Sequence, residues 1–285
     1  MTNGFFYLVF CGFFLGVSIF APGFSGSIIA IIMGIYQDLL SIASNPFKQL
    51  KKNIMFLLPL GIGAVISAIL FVVSFKFLFD TYEKATYFLF IGLIAGNLPV
   101  IFKEIKLYEY KNNYLFGGIA AFILALTLGV VAPGAGQSAG SAGISASLPL
   151  LSLNGFTAGI AAPIPGMSVS MILIIMGVYE QLIYAAESLL RFDFTYLIPF
   201  GIFGVCALAG IVVSSKGIKA VFERFPGFAH STVFGFMTGS LIGILIQSLQ
   251  INDPNFHWIH GASTLAAGLA VSMLFVALGK VMKKP

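Results

Sequence analysis

The sequence predicts an all-α polytopic integral membrane protein: an inverted-topology repeat with two re-entrant or broken helical hairpins and about six full transmembrane spans. Three observations predict it. The 285 residues are 59% hydrophobic and only 9% charged, with a mean hydropathy of +1.01, too apolar to fold around a single core in water. One stretch occurs twice: Pro22-Gly23-Phe24-Ser25-Gly26-Ser27 leading into Met33-Gly34-Ile35-Tyr36, and Pro165-Gly166-Met167-Ser168-Val169-Ser170 leading into Met176-Gly177-Val178-Tyr179. The copies lie at an offset of 143 residues (165 minus 22), and the match runs upstream through Gly12/Gly155, Phe13/Phe156 and Gly16/Gly159. The lysines and arginines, finally, gather mostly on one side of the membrane when each hairpin enters and leaves on the same side.

Residues 1–37 carry no charged side chain and no basic leader, which favours an uncleaved membrane segment over a removable signal peptide. Repeat one is expected at 1–107, with its hairpin at 4–40 and spans at 54–75 and 85–102. A connecting span at 114–132 and a Gly/Ala/Ser-rich, uncharged outer linker fill 108–149. Repeat two is expected at 150–250, with its hairpin at 150–187 and spans at 194–214 and 231–250; a last span at 259–279 lies in the segment 251–285. Each hairpin holds two apolar pieces of about 13 to 17 residues, or roughly 20 to 25 Å of helix, against a hydrocarbon core of about 30 Å. Later landmarks match at an offset of 140, namely Leu58-Pro59 with Ile198-Pro199 and Glu83 with Glu223, which implies a three-residue gap.

Positive-inside counting favours re-entrant hairpins. Lys48, Lys51, Lys52, Lys103, Lys106, Lys111, Lys216, Lys219, Arg224, Lys280, Lys283 and Lys284 then lie inside, and Lys76, Lys84 and Arg191 outside, a split of twelve to three. If each hairpin crosses once the split is seven against eight, although two short full crossings per hairpin would give the same sidedness. Both termini are accordingly expected in the cytoplasm.

In each copy the Pro-Gly pair breaks an apolar run and a Ser-x-Ser follows where the second half-helix should begin. A half-helix starting inside the membrane presents unpaired N–H groups and a positive dipole end, for which an anion is the natural occupant. Ser25, Ser27, Ser168 and Ser170 add hydroxyl donors, and Gly23, Gly26 and Gly166 admit close backbone approach. A helix terminus contributes only about 0.3 to 2 kcal/mol, and an unpaired charge in an apolar medium costs many times that, so the site needs water or a cation. Arg191 outside, and Lys48 or Lys51 inside, are the candidates. Ion pairing of Arg191 with Asp193 or Glu187 is the alternative for that residue. Asp38 and Glu180, beside Gln37 and Gln181, are either coupling carboxylates or solvated hairpin ends. His257 and His260 around Trp258 read as an interfacial anchor, Glu83-Lys84 and Glu223-Arg224 as solvated loop charges, and Cys11 and Cys206 as small buried hydrophobes without a disulfide or metal framework.

The motif residues, with Leu57-Leu58-Pro59, the run Phe90-Ile91-Gly92-Leu93-Ile94-Ala95-Gly96-Asn97-Leu98-Pro99 and the second copy from Pro165 to Glu180, resemble the bacterial polyprenyl-phosphate transporters of the PopT type, long described as a domain of unknown function. The resemblance covers nearly the whole chain. It implies a flippase of the bacterial cytoplasmic membrane that returns undecaprenyl phosphate, the lipid carrier of cell-wall synthesis, from the outer to the inner leaflet. That family usually places an acidic residue after the first tyrosine, where this chain has Gln37 and then Asp38, and a glycine where it has Val169. The motif and the resemblance together give the expected substrate-binding set: Pro22, Gly23, Ser25, Gly26, Ser27, Tyr36, Lys48, Lys51, Pro165, Gly166, Ser168, Ser170, Tyr179, Glu180 and Arg191. No cofactor, metal or nucleic acid is expected; the partners are the lipid phosphate and the bilayer, and homo-oligomerisation is compatible with the sequence. Two rivals remain. One is an integral-membrane undecaprenyl pyrophosphate phosphatase, whose Pro-Gly-x-Ser motif carries an arginine where this chain has Gly26 and Val169. The other is a transporter of a small soluble anion.

Overall fold

The structure, a computed structural model, describes residues 4–22, 26–45, 47–108, 112–131, 148–164, 167–253 and 256–282. Regular structure among them is helical throughout. In chain order the helices are α1 (Phe5–Phe20), α2 (Gly26–Ile32), α3 (Tyr36–Ser44), α4 (Leu50–Ile105), α5 (Asn112–Val131), α6 (Leu148–Ala161), α7 (Val169–Ile175), α8 (Tyr179–Leu190), α9 (Leu197–Arg224), α10 (Pro226–Gln250) and α11 (Trp258–Met282), with a short 3-10 turn at Phe194–Tyr196. Four stretches, within α4, α5, α9 and α10, are long and apolar enough to cross a membrane, and α7 with α8 forms a pair bent by 114°. Among the described residues the six expected stretches are helical, the first three residues of 194–214 as the 3-10 turn. Those at 54–75 and 85–102 share α4, which is two helices joined at a break at Tyr82 (φ −140°, ψ 47°). Residues 132–147, most of the expected outer linker, lie outside the described residues.

The duplicated stretches have duplicate backbones. Both α2 and α7 are seven residues long and start and end at the offset of 143. Each is closed by a glycine in the left-handed region, Gly34 at φ 68° and Gly177 at φ 69°, which a side chain disfavours. The amide after each turn then bonds back, Ile35 to the Ala30 carbonyl at 2.9 Å and Val178 to the Leu173 carbonyl at 3.0 Å. Phe225, between α9 and α10, repeats the Tyr82 break at φ −134°, ψ 55°. Tyr82 and Phe225 are again 143 apart, so the expected shift to 140 is not followed here. The reason is packing. A Cβ on Gly12 would strike the Leu60 carbonyl and one on Gly155 the Phe203 carbonyl, again at 143, so close helix approach sets the register. Pro59 and Pro199, 140 apart, sit at unequal heights on helices that tolerate them.

Helix α1 lies along the first half of α4 and α6 along α9, while α5 lies along α10 and α11 along the second half of α4. Between them runs one buried cluster, joining α4, α7, α8 and α10. Its centre is aromatic: Phe75, Phe79 and Phe90 of α4 each hold an edge-on or nearly edge-on contact with Tyr179 at 5.7 to 6.3 Å. Those rings hold the start of α8 against α4.

Candidate functional site

The two broken segments meet each other. In copy one the described chain runs to Pro22 and resumes at Gly26; in copy two it runs to Ile164 and resumes at Met167. Gly23, Ser25, Pro165 and Gly166 of the expected binding set therefore lie outside the described residues, as does the side chain of Ser27. Helix ends leave carbonyls without intrahelical partners, and in an apolar setting each one left unpaired costs several kcal/mol. The opposite copy supplies the donors. Tyr179 donates its hydroxyl to the Phe20 carbonyl at the end of α1. Tyr36 donates to the Pro163 carbonyl just past α6, at 3.2 Å. Phe20 and Pro163 are themselves 143 apart, each two residues before a Pro-Gly pair, so the contact is reciprocal in the way of a two-fold interface.

The serines of copy two sit at this junction. Ser168 and Ser170 are buried, with their hydroxyl oxygens 2.8 Å apart. Ser168 occupies the N-cap position of α7 with extended backbone, yet its side chain does not cap the helix. It donates instead to the Ser18 carbonyl of α1 at 3.4 Å. The Ser18 hydroxyl is held by the Leu15 carbonyl at 2.6 Å and crowds Gly26, where a Cβ would come within 2.7 Å of it. The junction thus gathers hydroxyls that now donate to backbone carbonyls and to one another, and that could serve an oxyanion only by exchanging those bonds.

Glu180 follows Tyr179 in the first turn of α8 and accepts a hydrogen bond from Tyr87 at 2.7 Å. It is not a solvated hairpin end. Asp38 is half-buried in the first turn of α3, one residue beyond the position that matches Glu180, which Gln37 holds. Lys48 and Lys51 are exposed on the approach to α4. Arg191, also exposed, pairs with Glu187 one turn back on its own helix. Asp193 bonds Thr195 instead, accepting from its amide at 3.0 Å and its hydroxyl at 2.6 Å, and these bonds hold its carboxyl below the usual range.

Other polar residues emerge only from the three-dimensional arrangement. Gln247, buried in α10, donates to the Ile175 carbonyl at the end of α7 (3.2 Å) and to the Gly129 carbonyl (2.9 Å). Asn154, buried in α6, has neither amide atom hydrogen-bonded among the described residues. Lys84 is not a solvated loop charge. Because the break takes a single residue, Lys84 falls in the first turn of the second half of α4, donates to the Ile251 carbonyl at 3.3 Å and lies over the Phe256 and Trp258 rings at 5.0 and 6.0 Å. An exposed polar spacing marks none of these in advance.

Comparison with known proteins adds the following. Residues 15–254 match the model of a family described as undecaprenyl phosphate translocase-like. A polyprenyl-phosphate transporter of Staphylococcus aureus (strain NCTC 8325 / PS 47) is 28% identical over 245 residues, which are 82% of this chain and 83% of that protein. No solved structure matches.

Proposed function

As the chain belongs to the undecaprenyl phosphate translocase-like family, we propose that it is a flippase that carries undecaprenyl phosphate from the outer to the inner leaflet of the bacterial cytoplasmic membrane, returning the lipid carrier to cell-wall precursor synthesis. The observation that carries this reading is the reciprocal junction. Two broken segments with equivalent backbones bind each other just before their Pro-Gly pairs, through Tyr179 to the Phe20 carbonyl and Tyr36 to the Pro163 carbonyl, beside a buried serine pair. Broken helices meeting at the middle of an inverted repeat are how transporters build an anion site within a bilayer. In this reading the repeats are inverted, the twelve-to-three division of basic residues sets both termini in the cytoplasm, and the motif serines and glycines of both copies receive the phosphate. Arg191 captures the headgroup outside, Lys48 and Lys51 attract it inside, and Glu180, with Asp38 as the lesser candidate, carries a coupled proton.

The decisive measurement is the amount of undecaprenyl phosphate exposed at the cell surface with and without the protein: more of it should accumulate outside when the protein is missing. Equal exposure would end the reading. Ser25→Ala and Ser168→Ala should lower transport at constant protein level, each by about 1 to 3 kcal/mol if a phosphate oxygen is left unpaired. Cysteines near Lys51 and Lys106 should resist impermeant thiol reagents in intact cells while cysteines near Asp80 and Asp193 label. The phosphatase reading predicts release of inorganic phosphate from undecaprenyl pyrophosphate by the purified protein. Gly26 and Val169, in place of an arginine between the serines, weigh against it.

A further inference from the structure

Along α8, beyond the junction, a cation, a phenol and a carboxylate from two helices come together. Lys76 of α4 bonds Asp80 Oδ2 at 2.6 Å, and its side chain is 24% exposed. Tyr184 of α8 donates to the other oxygen, Asp80 Oδ1, at 2.5 Å, and its ring lies 5.6 Å from the Lys76 ammonium. Arg191 follows at the end of α8, on the face that carries Tyr184 and, one turn further, Glu187, with which it pairs. The backbone beside Arg191 is unusual too. Phe192, at φ 63°, is the one non-glycine residue with positive φ among the described residues. The amide of Phe192 bonds to the Leu189 carbonyl and that of Asp193 to the Ser188 carbonyl, ending α8 in a turn that normally takes glycine. A disfavoured conformation held by its surroundings is a mark of a functional position.

An interhelical staple would need only the Tyr184–Asp80 bond. The two ion pairs, Lys76 with Asp80 and Arg191 with Glu187, each lie within one helix at a four-residue spacing and tie nothing together. They hold two cations in place without committing them. Asp80 meanwhile accepts from an ammonium and a phenol with its two oxygens, as the oxygens of a phosphate would. We propose that Lys76, Tyr184 and Arg191 form a receiving site for a phosphate monoester at this end of the second hairpin, and that Asp80 occupies the anion's place until it arrives. The guanidinium offers two parallel hydrogen bonds and the ammonium and phenol one each. For a lipid headgroup as the source of that phosphate, the site rests on the transport reading above.

The test uses the full-length protein in lipid nanodiscs, titrated with undecaprenyl phosphate, with inorganic phosphate as competitor. Lys76→Gln and Tyr184→Phe should each weaken binding by about tenfold, the loss of one charge-assisted or phenolic bond. Asp80→Asn should tighten it several-fold, because the competing carboxylate is gone while the amide still accepts from Tyr184. Inorganic phosphate that competes at concentrations near its cellular level would make the free ion an occupant; failure to compete would make the lipid headgroup the occupant. Wild-type affinity in both Lys76→Gln and Tyr184→Phe overturns the site. Weaker binding in Asp80→Asn overturns it as well, since Asp80 is then a staple. A wild-type protein that fails to move the lipid in proteoliposomes, while the variants shift inorganic-phosphate binding as stated, removes the transport reading and leaves the site standing.

Discussion

Copy one and copy two of the broken hairpin share a backbone and differ in nearly everything that backbone carries. Their short helices, left-handed glycines and junction tyrosines superpose in sequence at one offset. Yet Tyr179 is buried among three phenylalanine rings, whereas Tyr36 is half-buried and its bond is long. Six of the seven residues of α7 are buried, and α8 buries Tyr179, Leu182, Ile183 and Ala185, where α3 buries only Leu40. Glu180 has Gln37 as its counterpart, and the buried amide of Asn154 has the Cys11 thiol. Duplication has preserved the two turns that backbone sterics require. The side chains around them differ: copy two carries the carboxyl of Glu180, bonded to Tyr87, on the more deeply buried of the two short-helix units.

That contrast can be broken by experiment. The largest effect should come from Tyr87→Phe, which takes from Glu180 the hydroxyl that satisfies it; a buried carboxyl oxygen left without its donor costs about 1 to 3 kcal/mol, and more when the group is charged, and the loss should appear as a lower unfolding midpoint in detergent. No change there would mean Glu180 finds water or another donor. Next come the junction tyrosines. Tyr179→Phe leaves a carbonyl unpaired in a buried place and should cost about 1 to 3 kcal/mol; Tyr36→Phe, where water has access, should cost about 1 kcal/mol or less. Equal losses would show that the two halves of the junction are energetically alike despite their surroundings. Between the two tyrosines in size, and the same in both copies, is the effect of Gly34→Ala and Gly177→Ala, about 1 to 2 kcal/mol each from the left-handed backbone alone. Unequal values would show that packing, and not φ, governs one of the turns.

The same residues explain what could be read from the chain beforehand. The helical class and the breaks were legible because composition and Pro-Gly act locally; the left-handed turns at Gly34 and Gly177 emerge only from the backbone, although glycine is what such a turn selects. The serines were legible as polar groups in an apolar run. The partners of the tyrosines were not, because the acceptors at Phe20 and Pro163 are backbone carbonyls and every residue has one. Lys84 is not legible as a helix residue because Tyr82 breaks the helix without proline or glycine, so nothing shows that the chain two residues on is back in a helix and against the α10–α11 connection. Gln247 was passed over for a similar reason. One glutamine near the end of a span gives no hint that two distant carbonyls await it.

The smallest predicted effect separates the two copies where each hands the chain to its long helix. Asp193 heads the 3-10 turn before α9 and caps it, accepting from the Thr195 amide and hydroxyl. The corresponding start of α4, at Gln49, has no side-chain cap. The Thr195 bonds hold the Asp193 carboxyl below its ordinary value of 3.8, so the folded state favours the charged form. A depressed carboxylate contributes stability that is present above the unfolded value and is lost as pH falls through the folded one. Asp193→Ala should therefore lower the unfolding midpoint slightly at neutral pH, and the difference from wild type should close below about pH 4. The effect must be small because the carboxylate is exposed to solvent and its bonds are local. Gln49→Ala, with no cap to lose, should show no such closing. A difference for Asp193→Ala that persists unchanged into acid would mean that the uncharged acid caps the turn as well as the carboxylate, and that the ends of the two copies differ in shape but not in charge.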